Sequence, residues 1–501
     1  MVNVAEESNI DILRQVALLA LRENSTLYER IEKLMAEVSR LRGDTPEQLE
    51  LELAQLRELL AARNQQLFGK SSEKRPRSTA LLDAAQQEEK LQTGHGPTEQ
   101  KQLECIEKVH ELAAEEQHCD QCGGDLAEMG EQSEDSEEIS VVQRRFVVVR
   151  HRRRKYRCRC NATVKTAPGP PKLIPGGRYS PEFAVETAIG KYLDHLPLER
   201  QVRIMERQGL TVTSQTLWDQ IEALARHLEP SYEALGKAIL ASPVIHADET
   251  RWPLLSQKPS PWWAWCVASE LGVFYRILGS RSAKAAHSLL RGYQGIVLCD
   301  GYQAYASLSR GHPNFTLAHC WAHVRRKFLE AEPHYPAATQ MLDWIGQLYA
   351  LERQVPWGQG QQTESRLAER ARLRNEQARP LVEQIMQWAT HQSVLPRSSL
   401  GKAVGYLLEL RSGLTRFLDD PRIPLDNNRV ERAIRGPVVG RKNHYGSRSR
   451  RGTEVAAILY SLIETAKLLG LEPHDYLLKA THAAIQEPAT VTLPGDLIEP
   501  A

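Results

Sequence analysis

The sequence predicts a multidomain protein of mixed α and β class, built around a mixed five-stranded sheet with helices and flanked by smaller helical and cysteine-bearing modules. Three observations carry this. Its 501 residues, at roughly 150 per domain, point to about three or four domains. Between residues 243 and 320 short β-rich runs appear, with helical periodicity on either side. Four of the eight cysteines fall in two close pairs, a pattern that suits metal binding better than a disulfide scaffold.

Formal net charge is +1, from 64 Lys+Arg against 63 Asp+Glu, so a nucleic-acid partner must be argued from where the charges sit. No apolar run approaches the twenty or so residues that would span a bilayer, and the N-terminus "MVNVAEESNIDILRQ" is acidic where a signal peptide would be basic. A soluble, cytoplasmic protein with no membrane partner is expected.

Residues 1–68 read as a helical, leucine-zipper-like region. Leu27, Ile31, Leu34, Val38 and Leu41 recur at alternating four and three, and after "GDTP" so do Leu49, Leu53, Leu56, Leu60 and Leu67. Such narrow seams suit either a homo-oligomer or a hairpin folded on itself. Residues 69–104 mix charge, Gln, Gly and Pro without a sustained apolar period, as a linker does.

Residues 105–166 form the expected zinc-binding module. Cys119-x2-Cys122 is followed by "GGD", and Cys158-x-Cys160 closes the set. Four thiolates suit tetrahedral Zn²⁺, one structural ion, with His118 as an alternative ligand. "RRFVVVRHRRRKYRCRC" leads into the second pair and puts Arg153, Arg154 and Lys155 in a dense basic run. It suits either a phosphate backbone or a solvated strand face offset by the acidic "EDSEE".

A second linker at 167–178, "APGPPKLIPGGR", precedes a helix-turn-helix-type DNA-binding domain at 179–235. Ser214 is the natural N-cap of its second helix. Thr213, Ser214 and Gln215 stand at the start of that helix, where such motifs meet base edges. Helical hairpins with a glycine turn are also common structural units, so the motif alone is weak.

The catalytic core is expected at 240–335 and 421–485, interrupted by a helical insertion at 336–420 and followed by a loose tail at 486–501. Its first part reads β-β-β-α-β-β, from "PVIHADETRW" through "FTLAHC". Asp248 lies in the first run and Asp300 ends the fourth, each after apolar residues. Either acid alone would be read as a turn cap. In a ribonuclease-H-like sheet, however, the first and fourth strands lie side by side, so the pair could share a divalent metal.

A third carboxylate is available in "PLDNNRVERAIRGPVVGRKNHYG", where Glu431 stands among basic residues. A surface built only to bind phosphate gains nothing from an acid. Asn427, Asn428 and Arg435 lie three or four residues from Glu431 and would share its helix face. Arg432, Arg435, Arg441 and Lys442 would hold DNA while Glu431 holds metal. Two Mg²⁺ (or Mn²⁺) per site, roughly 3.5–4 Å apart, would suit in-line displacement at phosphorus. His319, Cys320 and His323, in "HCWAHVRRKF", read as packing and support behind the acids.

These motifs resemble the DDE transposase of the bacterial insertion-sequence family numbered sixty-six. The resemblance is collinear over nearly the whole chain: "LFGKSSEK", the cysteine knuckle, "KYLDHLPLERQ", "HADETRW", "CDGYQAY", "HCWAHVRRKF", "LDNNRVERAIR", "GRKNHYGS" and "YSLIETAKLLGLEPHDYL". It implies a catalytic triad of Asp248, Asp300 and Glu431, 3′-end cleavage of the element, and transfer of the freed 3′-OH to target DNA. It also implies the helical insertion between the second Asp and the Glu, and small accessory proteins of the same element as partners. "GRKNHYGSRSRRG" is more basic than the family's usual version, and the second cysteine pair is tight. Competing readings are a DNA-binding regulator with an inactive ribonuclease-H-like fold and a structure-specific nuclease.

Overall fold

The computed structural model describes residues 46–68, 145–157, 164–256, 261–311, 315–356 and 363–498, with a few positions between 29 and 40. Apart from Arg145, the described residues form one compact unit. The four predicted zinc cysteines, and most of the first leucine seam, lie outside the described residues.

Helix α1 (Pro46–Phe68) carries the second leucine seam. Ala54 packs on the helical insertion, and Glu58 accepts hydrogen bonds from Ser399 N at 2.9 Å and the Tyr335 hydroxyl at 3.4 Å. A small antiparallel ribbon of β1 (Lys155–Arg157) and β2 (Val164–Thr166) follows.

Helix α2 (Pro181–Tyr192) starts where local chemistry says it should: Ser180 caps it by accepting from Phe183 N, and proline occupies its first turn. Helix α3 (Leu198–Arg207) is joined to α4 (Ser214–Leu240) through Gly209, whose φ of +85° suits glycine. The N-cap of α4 is Thr213, which accepts from Thr216 N at 3.2 Å, rather than the expected Ser214. Both hydroxyls suit a cap, but only Thr213 has extended backbone there. Helix α4 runs on for 27 residues, and its later half buries Leu224, Leu228, Leu235 and Ile239 in the main core.

The central sheet consists of β3 (Val244–Trp252), β4 (Trp262–Ser269), β5 (Gly272–Leu278), β6 (Gly295–Cys299) and β7 (Phe315–His319), in the order β5-β4-β3-β6-β7. The first three strands form an antiparallel meander, and β3, β6 and β7 run parallel. Parallel strands need crossover connections. Helix α5 (Ala283–Leu289) precedes β6, and α6 (Gln303–Gly311) joins β6 to β7. The expected β-β-β-α-β-β order therefore gains one helix, at "QAYASLSRG".

The open edge of β5 is covered by a helix. Val273 N donates to Thr465 Oγ1 at 3.0 Å and Tyr275 N to Ser461 Oγ at 2.9 Å, while the Thr465 hydroxyl donates back to Val273 O. Two hydroxyls thus satisfy backbone groups that would otherwise template another strand.

After β7 comes α7 (Trp321–Ala331), and the chain stays helical across the expected insertion at 336–420: α8 (Ala337–Glu352), α9 (Glu364–Leu373), a π-helical segment (Arg374–Ala378), α10 (Arg379–Thr390), α11 (Ser399–Glu409) and α12 (Arg411–Leu414). These helices bury a second core around Trp321, Phe328, Ile345, Ile385 and Leu407, which reaches the sheet through Leu298 and Ala318. Trp321 N donates to Leu425 O at 3.1 Å, so the insertion departs and returns at one point.

Helix α13 (Asn428–His444) then packs on the sheet, its Ala433 carbonyl accepting from the Tyr275 hydroxyl at 2.8 Å. Helices α14 (Arg450–Leu468) and α15 (Pro473–Gln486) complete the core. The expected loose tail instead returns to it: Thr492 N donates to Ser231 Oγ, Thr492 O accepts from Tyr476, and Leu493 and Leu497 pack on the main cluster. Among the described residues no helix is long and apolar enough to cross a membrane.

Candidate active site

Asp248 and Asp300 come together because two buried parallel strands place them there. Register runs Val244↔Ile296, Ile245↔Val297 and His246↔Leu298, and continuing it two positions pairs Asp248 with Asp300 just beyond the last residue of β6. Neighbouring strands are about 4.8 Å apart, and residues in register point to the same face. Each acid is steadied by a backbone amide: Asp248 Oδ1 accepts from Glu249 N at 2.8 Å and Asp300 Oδ1 from Tyr302 N at 3.0 Å.

Among the described residues neither aspartate forms an ion pair. The Asp248 carboxyl is pushed up to about 7, first by burial and then by the charges of Glu249, Asp300 and Glu431. A carboxyl crowded by like charges is what a bound cation would relieve.

Glu249, one residue on, shows the contrast. Its side chain is buried, forms a 2.6 Å ion pair with Arg281, and accepts from the Tyr305 hydroxyl at 2.9 Å. The Arg281 guanidinium also lies over the rings of Trp263 and Tyr302. This acid has its counter-charge within the chain, so its role is structural.

Glu431 arrives in the first turn of α13, where a helix N-terminus favours negative charge. Asn427, the residue before the helix, is fully buried and holds this end in place. Its Nδ2 donates to Ala247 O at 3.0 Å, its Oδ1 meets His246 Nδ1 at 3.0 Å, and its backbone N–H donates to Cys320 Sγ at 3.2 Å. It therefore cannot reach phosphate, and sits with its back to Glu431 as an anchor to β3. Asn428 is held by Asp426 at 2.6 Å.

Glu431 Oε2 lies 3.9 Å from Arg326 and Oε1 lies 3.7 Å from His323 Nδ1. Cys320, buried at the start of α7, and His323, one turn in, stand beside it. Cys320, His323 and Glu431 form the one group of three or more candidate metal donors among the described residues whose atoms all lie within 4.8 Å of one another. Asp248, Asp300 and Glu431 are not drawn that close. His319 is half-buried, 3.9 Å from Cys299 Sγ, and burial lowers its pKa.

The predicted DNA-contacting residues divide into two sets. Arg154, Lys155, Gln215, Arg432, Arg435 and Lys442 are exposed. Arg153 is exposed too, though its Nε donates to Ala167 O, and Ser214 is half-buried. Thr213 is occupied as a cap. Arg441 is engaged inside the chain, donating to Thr250 Oγ1 at 2.9 Å and to Arg251 O, which ties α13 to the end of β3.

Three residues near the acids went unremarked in the sequence. His246 supports Asn427, and burial lowers its pKa to about 4. Arg326 approaches Glu431, and its spacing of three from His323 on α7 was a usable signal. Tyr406 of α11 accepts the Gly301 N–H at 3.1 Å, beside Asp300; nothing local in "KAVGYLLEL" discloses that contact.

The chain matches the family model described as "Transposase IS66 family" over residues 176–455 and that described as "zinc-finger binding domain of transposase IS66" over 116–161. It is 32% identical over 402 residues to the uncharacterized protein y4jD of Sinorhizobium fredii (strain NBRC 101917 / NGR234), covering 76% of this chain and 77% of that one. To the uncharacterized protein y4qI of the same strain it is 32% identical over 394 residues, covering 74% and 71%. To y4hP, also uncharacterized, it is 27% identical over 495 residues, covering 92% and 86%.

Proposed function

Because the chain belongs to the IS66 transposase family, we propose that it binds the ends of an insertion sequence, cleaves the DNA strands and joins the 3′ ends to target DNA. The observation that carries this reading is the side-by-side register of Asp248 and Asp300, with the Glu431 charge near enough to act on Asp248. The strand order, with a parallel pair at the centre beside an antiparallel meander, supports a ribonuclease-H-like core.

The oxygen donors of Asp248, Asp300 and Glu431 suit Mg²⁺ or Mn²⁺, and the raised Asp248 carboxyl fits a site where cations offset crowded acids. When bound, two such ions supply activation of the attacking oxygen and stabilisation of the leaving one at phosphorus. The chain's own residues do the rest. Arg432, Arg435 and Lys442 present positive charge on the helix that carries Glu431, drawing a phosphate backbone toward the acids. Asn427 fixes the start of that helix. Arg153, Arg154 and Lys155, with Ser214 and Gln215 at the start of α4, extend the DNA-facing set. The zinc-finger match supports one structural Zn²⁺, with Cys119, Cys122, Cys158 and Cys160 as proposed ligands. A homo-oligomer and small accessory proteins of the same element belong to this reading.

The test is cleavage and joining of labelled element-end DNA with Mg²⁺, wild type beside Glu431→Ala. Joined products that disappear in the variant are expected. Binding without any cut by the wild type would favour a DNA-binding regulator, and cutting without joining a structure-specific nuclease.

A further inference from the structure

We propose that Cys320, His323 and Glu431 form a binding site for a thiophilic divalent transition ion of the Zn²⁺ class, distinct in donor chemistry from the oxygen-donor site of the two aspartates. The three donors come from two segments: Cys320 and His323 from the point where the chain leaves the sheet for the insertion, and Glu431 from the first turn after it returns. All donor atoms lie within 4.8 Å of one another.

His323 Nδ1 and Glu431 Oε1 face each other at 3.7 Å, and both are buried atoms without a hydrogen-bond partner. That separation is too long for a hydrogen bond. A nitrogen and an oxygen held about 2.0–2.2 Å from a tetrahedral ion stand roughly 3.3–3.6 Å apart, so the gap is close to what one ion needs. Buried polar atoms are seldom left unpaired, and each case asks for a partner.

The thiol is placed for the same purpose. Cys320 sits at the N-terminus of α7 and accepts the Asn427 N–H at 3.2 Å, which holds Sγ within 4.8 Å of the His323 and Glu431 donors. Binding takes the ion from solution and releases the Cys320 proton to solvent. Thiolate with imidazole selects Zn²⁺ or Co²⁺ over Mg²⁺, which prefers oxygen alone. Three protein donors leave a fourth position for water. Glu431 presents Oε1 here, while its Oε2 lies 3.9 Å from the Arg326 guanidinium. Such an ion would pin the third acid to the exit point of the insertion.

The experiment uses the full-length chain without DNA, stripped of metal and titrated with Co²⁺, counting bound ions and following the sulfur-to-cobalt charge-transfer band. Wild type is expected to bind one more ion per chain than Cys320→Ser and to show a stronger band. Glu431→Gln and His323→Gln should keep the fold and bind that ion at least about tenfold more weakly, as loss of one ligand would cause. Millimolar Mg²⁺ should not displace it. Equal stoichiometry in wild type and Cys320→Ser overturns the site. If Cys320→Ser does not fold, unchanged affinity in either other variant overturns it instead, as does ready displacement by Mg²⁺. None of these readouts uses strand transfer, so the site can fail while the transposase reading stands, and the reverse.

Discussion

The imidazole of His246 and the side-chain amide of Asn427 meet at 3.0 Å across 181 residues of sequence, both fully enclosed by protein. With the bond from Asn427 Nδ2 to Ala247 O, this joins the strand bearing the first acid to the helix bearing the third. Asn427→Ala would leave His246 Nδ1 and Ala247 O without partners, at about 1–3 kcal/mol for each unsatisfied group. The expected result is a lower urea midpoint, with strand joining falling further than binding to element ends. Equal activity per folded molecule would show that the helix start is held by other contacts.

Asp248→Asn and Asp300→Asn should each keep binding to element ends and lose cleavage by at least about a hundredfold, because oxygen ligands of a catalytic ion are removed. Gel shift and product analysis on the same DNA check this. Glu249→Gln is the informative neighbour: it weakens a buried ion pair with Arg281, so the loss should appear first in stability.

Gly301 follows Asp300, and a Cβ there would lie 2.7 Å from the Tyr406 ring and 2.8 Å from Leu410 Cδ1. Gly301→Ala should destabilise by about 1–3 kcal/mol through overpacking and shift the Asp300 loop. Combined with Tyr406→Ala, the loss should be smaller than the sum of the two singles, as coupled neighbours require. A double-mutant cycle of unfolding free energies measures it; strict additivity would mean that α11 does not buttress the loop.

Arg374 is 1% exposed. It pairs with Glu352 at 2.8 Å through both carboxylate oxygens and donates to the carbonyls of Phe417, Asp420 and Ile423. Arg374→Met would leave Glu352 with Arg370 alone and take the donor from three carbonyls, at about 1–3 kcal/mol for each unsatisfied group, so a cost of about 3–5 kcal/mol is expected. Arg372→Ala, which breaks an exposed pair with Glu376, should leave the denaturation midpoint in place.

His444 contributes to the pH dependence of stability, beside His246, whose buried ring is likewise lowered to about 4. The His444 ring lies by Tyr460 and the Gly446 carbonyl, and burial followed by the charge of Lys191 lowers its pKa from 6.5 to about 4. The unfolded chain therefore takes up this proton first, so the contribution of this group is full above about pH 6.5 and is lost as pH drops toward 4. At one pKa unit per ~1.4 kcal/mol the loss is on the order of 3 kcal/mol. His444→Gln should flatten that part of the stability profile, and an unchanged slope would place the titration elsewhere.

Asp248 and Asp300 stand out in the sequence because apolar runs ending in aspartate are conspicuous, and the sheet sets Asp248, in mid-strand, beside the end of β6. What surrounds them was less legible. Asn427 was assigned to the Glu431 face by helical spacing, but the helix starts at Asn428, and Asn427 has φ −96° and ψ 17°; periodicity does not apply outside the helix. Cys320-x2-His323 lacked a third donor in the sequence because that donor returns only after the whole insertion. Arg441 read as a free basic residue, and only the fold shows which arginines are already engaged. Helix α6 was missed because "QAYASLSRG" offers a weak apolar period, whereas Asp300 Oδ1 already receives Tyr302 N at its start.

The hydrogen bonds from Trp321 N to Leu425 O and from Asn427 N to Cys320 Sγ close the base of the helical insertion. A segment whose two ends are neighbours is interchangeable: its outer parts can lengthen, shorten or be replaced without moving the strands on which it stands, provided the cover over Leu298 and Ala318 and the Tyr406 contact with Gly301 are kept. The outer loops of that segment can thus change length while the spacing of the acids at its base stays fixed. The same closure makes it a natural place to graft a foreign helical module and ask how small an insertion the chemistry tolerates.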